Sequence, residues 1–262
     1  MNISGLLVDF QQAHPKKTKS NDILFVHGMW AGSWMWENYT NFFSSQGYDC
    51  YALNLRGRPG SIPVHDRGNI SINDYVADVK TVAETLTNPI IIGHSMGGLL
   101  TQKVAELSSP QAVVLIGPAP PAGILMIGGW VHLLMGIYYS FDIVMGNSIL
   151  PSLFFLRHLL MNNVPEKIQN SIYKRLISES SRAAHEILFP GVAVDASQIQ
   201  CPMLIIASRQ DHATPFSTIQ RIVEKYACDI QAYSKFGHLI IAESGWEKPA
   251  QDISDWLNTN IK

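Results

Sequence analysis

The stretch Ile90-Ile91-Ile92-Gly93-His94-Ser95-Met96-Gly97-Gly98-Leu99-Leu100 decides how the rest of the chain is read. Three successive isoleucines suit a strand buried on both faces. The run breaks into glycines around one serine, then resumes as Leu-Leu-Thr-Gln-Lys-Val-Ala-Glu-Leu with helical spacing. Gly93-x-Ser95-x-Gly97 thus falls between an expected strand and an expected helix, where a tight turn lifts a serine hydroxyl above a sheet. Glycine on either side avoids a Cβ that would collide as the helix packs back on its strand. A glycine-rich turn with an incidental serine has the same five residues; the strand-to-helix placement favours a nucleophile.

Outward from this turn the pattern alternates. Gly5 to Phe10 has room for one short strand, Ile23 to Val26 for another, and Trp36 to Gln46 reads as a helix stopped by Gly47. Tyr48 to Leu55 is the next strand and runs into the turn-rich Arg56-Gly-Arg-Pro-Gly-Ser61. Ser71 is placed to cap a helix whose apolar face is Ile72, Tyr75, Val76, Val79, Val82, Ala83 and Leu86. Gln111 to Ile116 follows as a strand. Strand and helix in alternation with short loops imply a parallel sheet with right-handed crossovers. From Pro118 to Asp195 the alternation stops, and helical stretches are expected near 123–147, 151–162 and 165–188. Met203 to Ala207 restores the strand pattern, followed by a helix over Pro215 to Tyr226, a strand over Asp229 to Tyr233 and a closing amphipathic helix from Trp246 to Ile261. The expected architecture is α/β, a mostly parallel doubly wound sheet of about six to eight strands. Residues 1–117 and 196–262 form its core, and 118–195 form a helical lid inserted between strands.

Composition narrows the classes. A chain of 262 residues fits one large domain, or a domain with an insertion. A net charge of −2 without a basic cluster gives no footing for nucleic acid. Cys50, Cys201 and Cys228 cannot all pair within one chain and form no C-x-x-C, so a reduced, cytoplasmic setting is expected. The first residues lack a basic segment and long apolar core. Leu107 to Phe141 has no Asp, Glu, Lys or Arg, long enough to raise a membrane span. His132, several glycines and the break Gly117-Pro-Ala-Pro-Pro121 favour a buried or lid-forming apolar helix instead. No residue set suggests a metal, and no cofactor is called for.

A serine hydroxyl needs a base within reach and an acid orienting that base. With Ser95 as nucleophile, both belong downstream, after later strands, in the order acid then histidine. Asp211 follows the strand at 203–207 and His238 the strand at 229–233, where the carboxyl ends of parallel strands converge. Asp195 precedes its strand, Glu243 falls at a helix-cap position, and His212 is expected to point away. Two backbone N–H donors must hold a tetrahedral oxyanion: Met96, after the nucleophile, and Met29, in the loop His27-Gly28-Met29-Trp30. His27 is expected to brace that loop. Trp30 and His94 are expected beside the substrate, with Trp130, Leu134, Tyr138 and Phe154 of the apolar insertion lining its pocket; simple packing of the insertion onto the sheet is the alternative.

These motifs, His27-Gly-x-Trp30, Gly93-His-Ser-Met-Gly-Gly98, a late aspartate and a final Gly237-His238, resemble the α/β-hydrolase superfamily over nearly the whole chain. His27-Gly-Met-Trp-Ala-Gly-Ser-Trp-Met-Trp36 is similar to the plant esterase and hydroxynitrile-lyase branch, and the serine turn to bacterial esterases, cofactor-free haloperoxidases and carbon–carbon bond hydrolases. The resemblance implies an eight-stranded sheet with a lid after its sixth strand. The N-terminus is short for the usual first two strands, so that edge is expected to be trimmed. Asn54 stands where many relatives carry aspartate. Leu239 stands where the lyases carry lysine, which argues against cyanohydrin cleavage; Ser95 argues against chemistry that needs an aspartate nucleophile. The expected function is cleavage of an ester, thioester or lactone with a hydrophobic acyl group, medium chains preferred over acetate. Carbon–carbon hydrolysis, perhydrolysis and a non-catalytic ligand-binding role are the rivals.

Overall fold

In the computed structural model, which describes residues 1–126 and 129–261, the isoleucine run forms the middle of an eight-stranded sheet. The strands are β1 (Asn2–Ile3), β2 (Leu6–Gln11), β3 (Asp22–Val26), β4 (Asp49–Leu53), β5 (Ile90–His94), β6 (Ala112–Ile116), β7 (Met203–Ser208) and β8 (Asp229–Tyr233), in the order β1-β2-β4-β3-β5-β6-β7-β8. All pairs from β4 through β8 are parallel; β1 and β2 join antiparallel at the edge. The N-terminal edge is therefore not trimmed. Gly5 takes φ +87° and lets the first residues double back as a two-residue strand, too brief for alternation to reveal.

Alternate residues of the central strands feed two separate cores, as a period of two demands. Ile91, Val113 and Ile205 pack with α2 (Ile72–Ala83), α3 (Met96–Leu107) and α9 (Phe216–Tyr226) on one face. Ile90, Ile92, Val114 and Ile206 pack with α1 (Glu37–Ser45) and α10 (Glu247–Asn260) on the other. Ser71 caps α2 in a reciprocal capping box with Asp74, satisfying two N–H groups at the helix start.

Between β6 and β7 the chain contributes only helices to the described structure: α4 (Trp130–Tyr138), α5 (Ser140–Met145), α6 (Leu153–Leu159), α7 (Glu166–Arg175) and α8 (Ser181–Leu188). The helix expected over 165–188 is broken at 176–180, where the backbone extends and Glu179 bridges Ile149 antiparallel. The helix expected over 123–147 is two short ones, and Ile127 and Gly128 of that stretch lie outside the described residues. No helix among the described residues is long and apolar enough to cross a membrane. Chain order turns back at β3, whose neighbours are β4 and β5; a crevice at the carboxyl ends of such a switch point is where this class of sheet receives ligands.

Candidate active site

At the end of β5 the chain turns into α3 through Ser95, a non-glycine residue held at φ +55°. Ser95 N–H bonds Ile116 O at 3.0 Å, and Ser95 O accepts from Gly98 and Ala119 at 2.9 and 3.0 Å, which holds the strained pose in place. The flanking glycines are obligatory. A Cβ on Gly93 would lie 2.3 Å from Gly97 O, and one on Gly97 2.2 Å from Val26 O.

Asp211 follows β7 and His238 follows β8. Asp211 Oδ1 accepts the Ala213 and Thr214 N–H groups at 2.8 Å each, which leaves Oδ2 to accept from His238 Nδ1 at 2.8 Å. That bond places the proton on Nδ1 and the lone pair on Nε2. Nε2 is buried and has no hydrogen-bond partner among the described residues. Gly117, at φ +48°, gives this pair its space, since a Cβ there would lie 3.1 Å from Asp211 Oδ2. Glu243 takes the Gly237 N–H on both carboxylate oxygens, at 3.0 and 2.8 Å, and so holds the loop that carries His238. Asp195 caps a turn through Ser197 N–H, and His212 is exposed and bonds His158 O.

Two further histidines are structural. His27 Nδ1 donates to Gly28 O at 2.8 Å while Nε2 accepts Leu55 N–H at 3.4 Å, so the neutral ring satisfies both sides. His94 Nε2 donates to His238 O at 2.9 Å, and its ring lies 4.7 Å from that of His238. Burial pushes each down to about 3; the Arg58 charge adds to the effect on His27 and the His238 ring to that on His94.

The Gly28–Met29 peptide has its carbonyl tied to His27. Its N–H lies on the opposite edge of the plane and has no acceptor among the described residues. Met96 N–H, first in α3, is likewise without an acceptor among the described residues, as a helix N-terminus leaves it. Gly28 permits the approach, since a Cβ there would lie 2.9 Å from Ser95 Cβ.

Ser95 stands between two apolar cavities. The smaller, about 20 Å³, is bordered by Met35, His94, Ile172, Leu176 and His238. The larger, about 130 Å³, lies against the helices between β6 and β7 and the serine turn, at Met96, His132, Met135, Leu159, Ile187 and Leu188. Met29, Trp30, Ser95 and Leu160 border both. Trp30 and His94 therefore lie where the sequence places them, beside the serine. Trp130, Leu134, Tyr138 and Phe154 do not: none borders either cavity, and they are 62%, 45%, 70% and 52% exposed. The reason is helical phase. On α4, residues 130, 134 and 138 share one stripe, while Val131 and Met135, one position on, face inward. On α6 the buried partner is Phe155, next to Phe154. His132 escaped the sequence reading because α4 is apolar all round and offers no polar face to set its orientation; Ile187 and Leu188 lie on α8, within the stretch whose spacing reads as helix over 165–188.

A model of the Alpha/beta hydrolase family matches residues 23–250. A Mycoplasma genitalium protein that carries an esterase/lipase name is 31% identical over 109 residues, so the match spans 40% of this chain and 40% of that protein. Among solved structures, a hydrolase from Oleispira antarctica superposes with TM-score 0.76 at 16% identity, covering 98% of this chain and 96% of its own. A monoacylglycerol lipase from Paleococcus ferrophilus gives 0.72 at 21% identity, covering 97% and 99%. At such identities these likenesses speak for the fold. The family model, by contrast, takes in β3 through β8 and everything between them, and on that ground the chain belongs to the alpha/beta hydrolase family.

Proposed function

We propose that the protein is a serine hydrolase that cleaves carboxylic esters of apolar acids with small alcohols. The observation that carries this reading is the buried His238 ring, fixed by Asp211 through Nδ1, with Nε2 unpartnered among the described residues and Ser95 bordering the same cavity. In the reaction His238 Nε2 takes the Ser95 hydroxyl proton as Oγ bonds the carbonyl carbon. The Met29 and Met96 N–H groups receive the oxyanion. Collapse breaks the bond to the alkoxide, which leaves with the proton from Nε2; water, deprotonated by the same nitrogen, then releases the acid from Ser95. Asp211 holds the tautomer throughout.

The two cavities give the substrate a direction. The leaving oxygen must lie within reach of His238 Nε2, so the alcohol belongs in the cavity His238 borders. At about 20 Å³ that cavity holds roughly one water-sized group. The acyl part takes the larger, apolar cavity under the insertion, which in this reading is the cap of the active site. Fluorophosphonate labelling and pH-stat hydrolysis test both levels. Labelling at Ser95, turnover of methyl octanoate and loss of both in Ser95→Ala support a serine hydrolase. Wild type that neither labels nor turns over any ester of the panel refutes it. Faster turnover of butyl acetate than of methyl octanoate refutes the direction alone.

A further inference from the structure

Trp30 stands at φ +63°, a left-handed pose that costs a bulky residue energy and persists only under restraint. Every hydrogen bond it makes among the described residues comes from the segment between β6 and β7. Its N–H donates to Glu179 Oε2 at 3.2 Å, its carbonyl accepts Ile177 N–H at 2.9 Å, and its indole Nε1 donates to Ile149 O at 2.9 Å. Ile149 and Glu179 are themselves joined by a pair of backbone bonds of 2.8 Å. Glu179 is fully buried and has no role in the proton transfers described above. Its carboxylate pairs with the equally buried Arg58 through both guanidinium ends, and accepts from Tyr75 OH and from Ser180 N–H at 3.0 Å. Burial alone would raise its pKa, but the Arg58 charge and these bonds hold it below the ordinary carboxylate value, so it is an anion.

The consequence falls on Met29. A trans peptide is planar, so the N–H of one unit is fixed by whatever holds its carbonyl. The Gly28–Met29 plane is held by His27, from the sheet; the Met29–Trp30 plane is held by Glu179, from the insertion. Both planes on either side of Met29 are thus fixed, one by each part of the molecule.

We propose that Glu179 is a positioning residue for the Met29 oxyanion donor: His27 orients the peptide that carries the Met29 N–H, and Glu179, through the Trp30 N–H, locks the peptide that follows it, so that Met29 cannot swing out of place. The proposal rests on the serine-hydrolase reading. Glu179 touches no reacting atom; it acts by keeping one of two donors in register.

The test separates the acceptor from the ion pair. Arg58→Met/Glu179→Gln removes both charges and keeps an oxygen for Trp30 N–H; Arg58→Met/Glu179→Leu removes both charges and that oxygen. Apolar replacement of a whole buried pair is the change such sites tolerate. The Gln variant should keep kcat within about 5-fold of wild type, and the Leu variant should lose roughly 30-fold or more, part of what an absent donor costs. KM should stay within about 3-fold in both. Affinity for octylboronic acid, whose adduct on serine is tetrahedral, should fall with kcat in the Leu variant alone. Glu179→Asp, which retracts the carboxylate by one methylene, is the fallback should either double variant fail to fold, and should lower kcat and boronate affinity together at unchanged KM. Equal kcat in the Gln and Leu variants, or wild-type boronate affinity in whichever of Leu and Asp folds, overturns the proposal. Wild type that hydrolyses no ester overturns the underlying reading instead.

Discussion

Moving from pH 7.5 to 5.5 should destabilise the fold by about 3 kcal/mol, because two buried histidines stay neutral in the native state. Their folded values lie at about 3, against an ordinary 6.5. In the folded chain neither ring takes a proton across this range, whereas in the unfolded chain both do once the pH passes below 6.5. The unfolded state then binds more protons, so stability falls as the pH falls. It is present in full above 6.5 and declines progressively toward pH 3. At pH 5.5 each ring contributes roughly 1.4 kcal/mol of loss, since each unit of separation is worth about 1.36 kcal/mol. His132, also lowered by burial, acts in the same direction. For His27 the structural cause is explicit: a second ring proton would displace the Leu55 N–H from Nε2 and loosen the loop that carries Met29. Urea unfolding in a buffer series from pH 5.5 to 8 reads the effect, and His94→Asn should reduce the pH slope by roughly half of the pair's share whatever it does to absolute stability. A urea midpoint that is flat, or that rises, as pH drops to 5.5 would mean that these rings are not held neutral in the folded chain.

Asp211→Asn should fold normally yet lose about 10⁴-fold in kcat, because the amide no longer enforces the His238 tautomer; stopped assays beside a thermal melt check it. Gly97→Ala should give no soluble folded protein by far-UV circular dichroism, since its Cβ would lie 2.2 Å from the Val26 carbonyl of the central sheet. Gly136→Ala, inside α4 with nothing within 4 Å of the new Cβ, should instead raise stability by about 0.5–1 kcal/mol in urea titration. Ile172→Ala enlarges the smaller cavity and should shift the preferred alcohol from methyl toward butyl with the acyl preference kept, read as kcat/KM over an ester panel.

The parts legible in the sequence are those written locally. Ile90 to Leu100 carries its strand, turn and helix within eleven residues, and Ser71 announces its helix by a cap three residues from its partner Asp74. Asp211 and His238 were accessible by order along the chain, because each follows a β-branched or alternating strand. The clamp on Trp30 was not. Glu179 lies inside a stretch whose spacing reads as one helix, and its partner Arg58 is 121 residues away in a turn-rich loop. A hint existed in Ser178-Glu179-Ser180-Ser181: Ser180 caps α8 through Ala183 N–H and marks a new helix start. Which face of α4 looks inward was beyond reach for a different reason. A helix apolar on every side is oriented by what it packs against: here Val131 joins Phe155 and Leu159 of α6, and His132 and Met135 border the cavity.

The Arg58–Glu179 pair also orders events during synthesis. When translation has reached the end of β6, the guanidinium of Arg58 is made but its counter-ion is still more than sixty residues from being translated. Sealing that cation away from water without an anion is costly, so the nascent chain keeps the loop before α2 hydrated and open. The sheet can assemble early from neighbouring strands, while the bend at Trp30 waits for a later segment to arrive and dock. A chain truncated before residue 179 would thus carry its serine turn complete and its Trp30 bend unset.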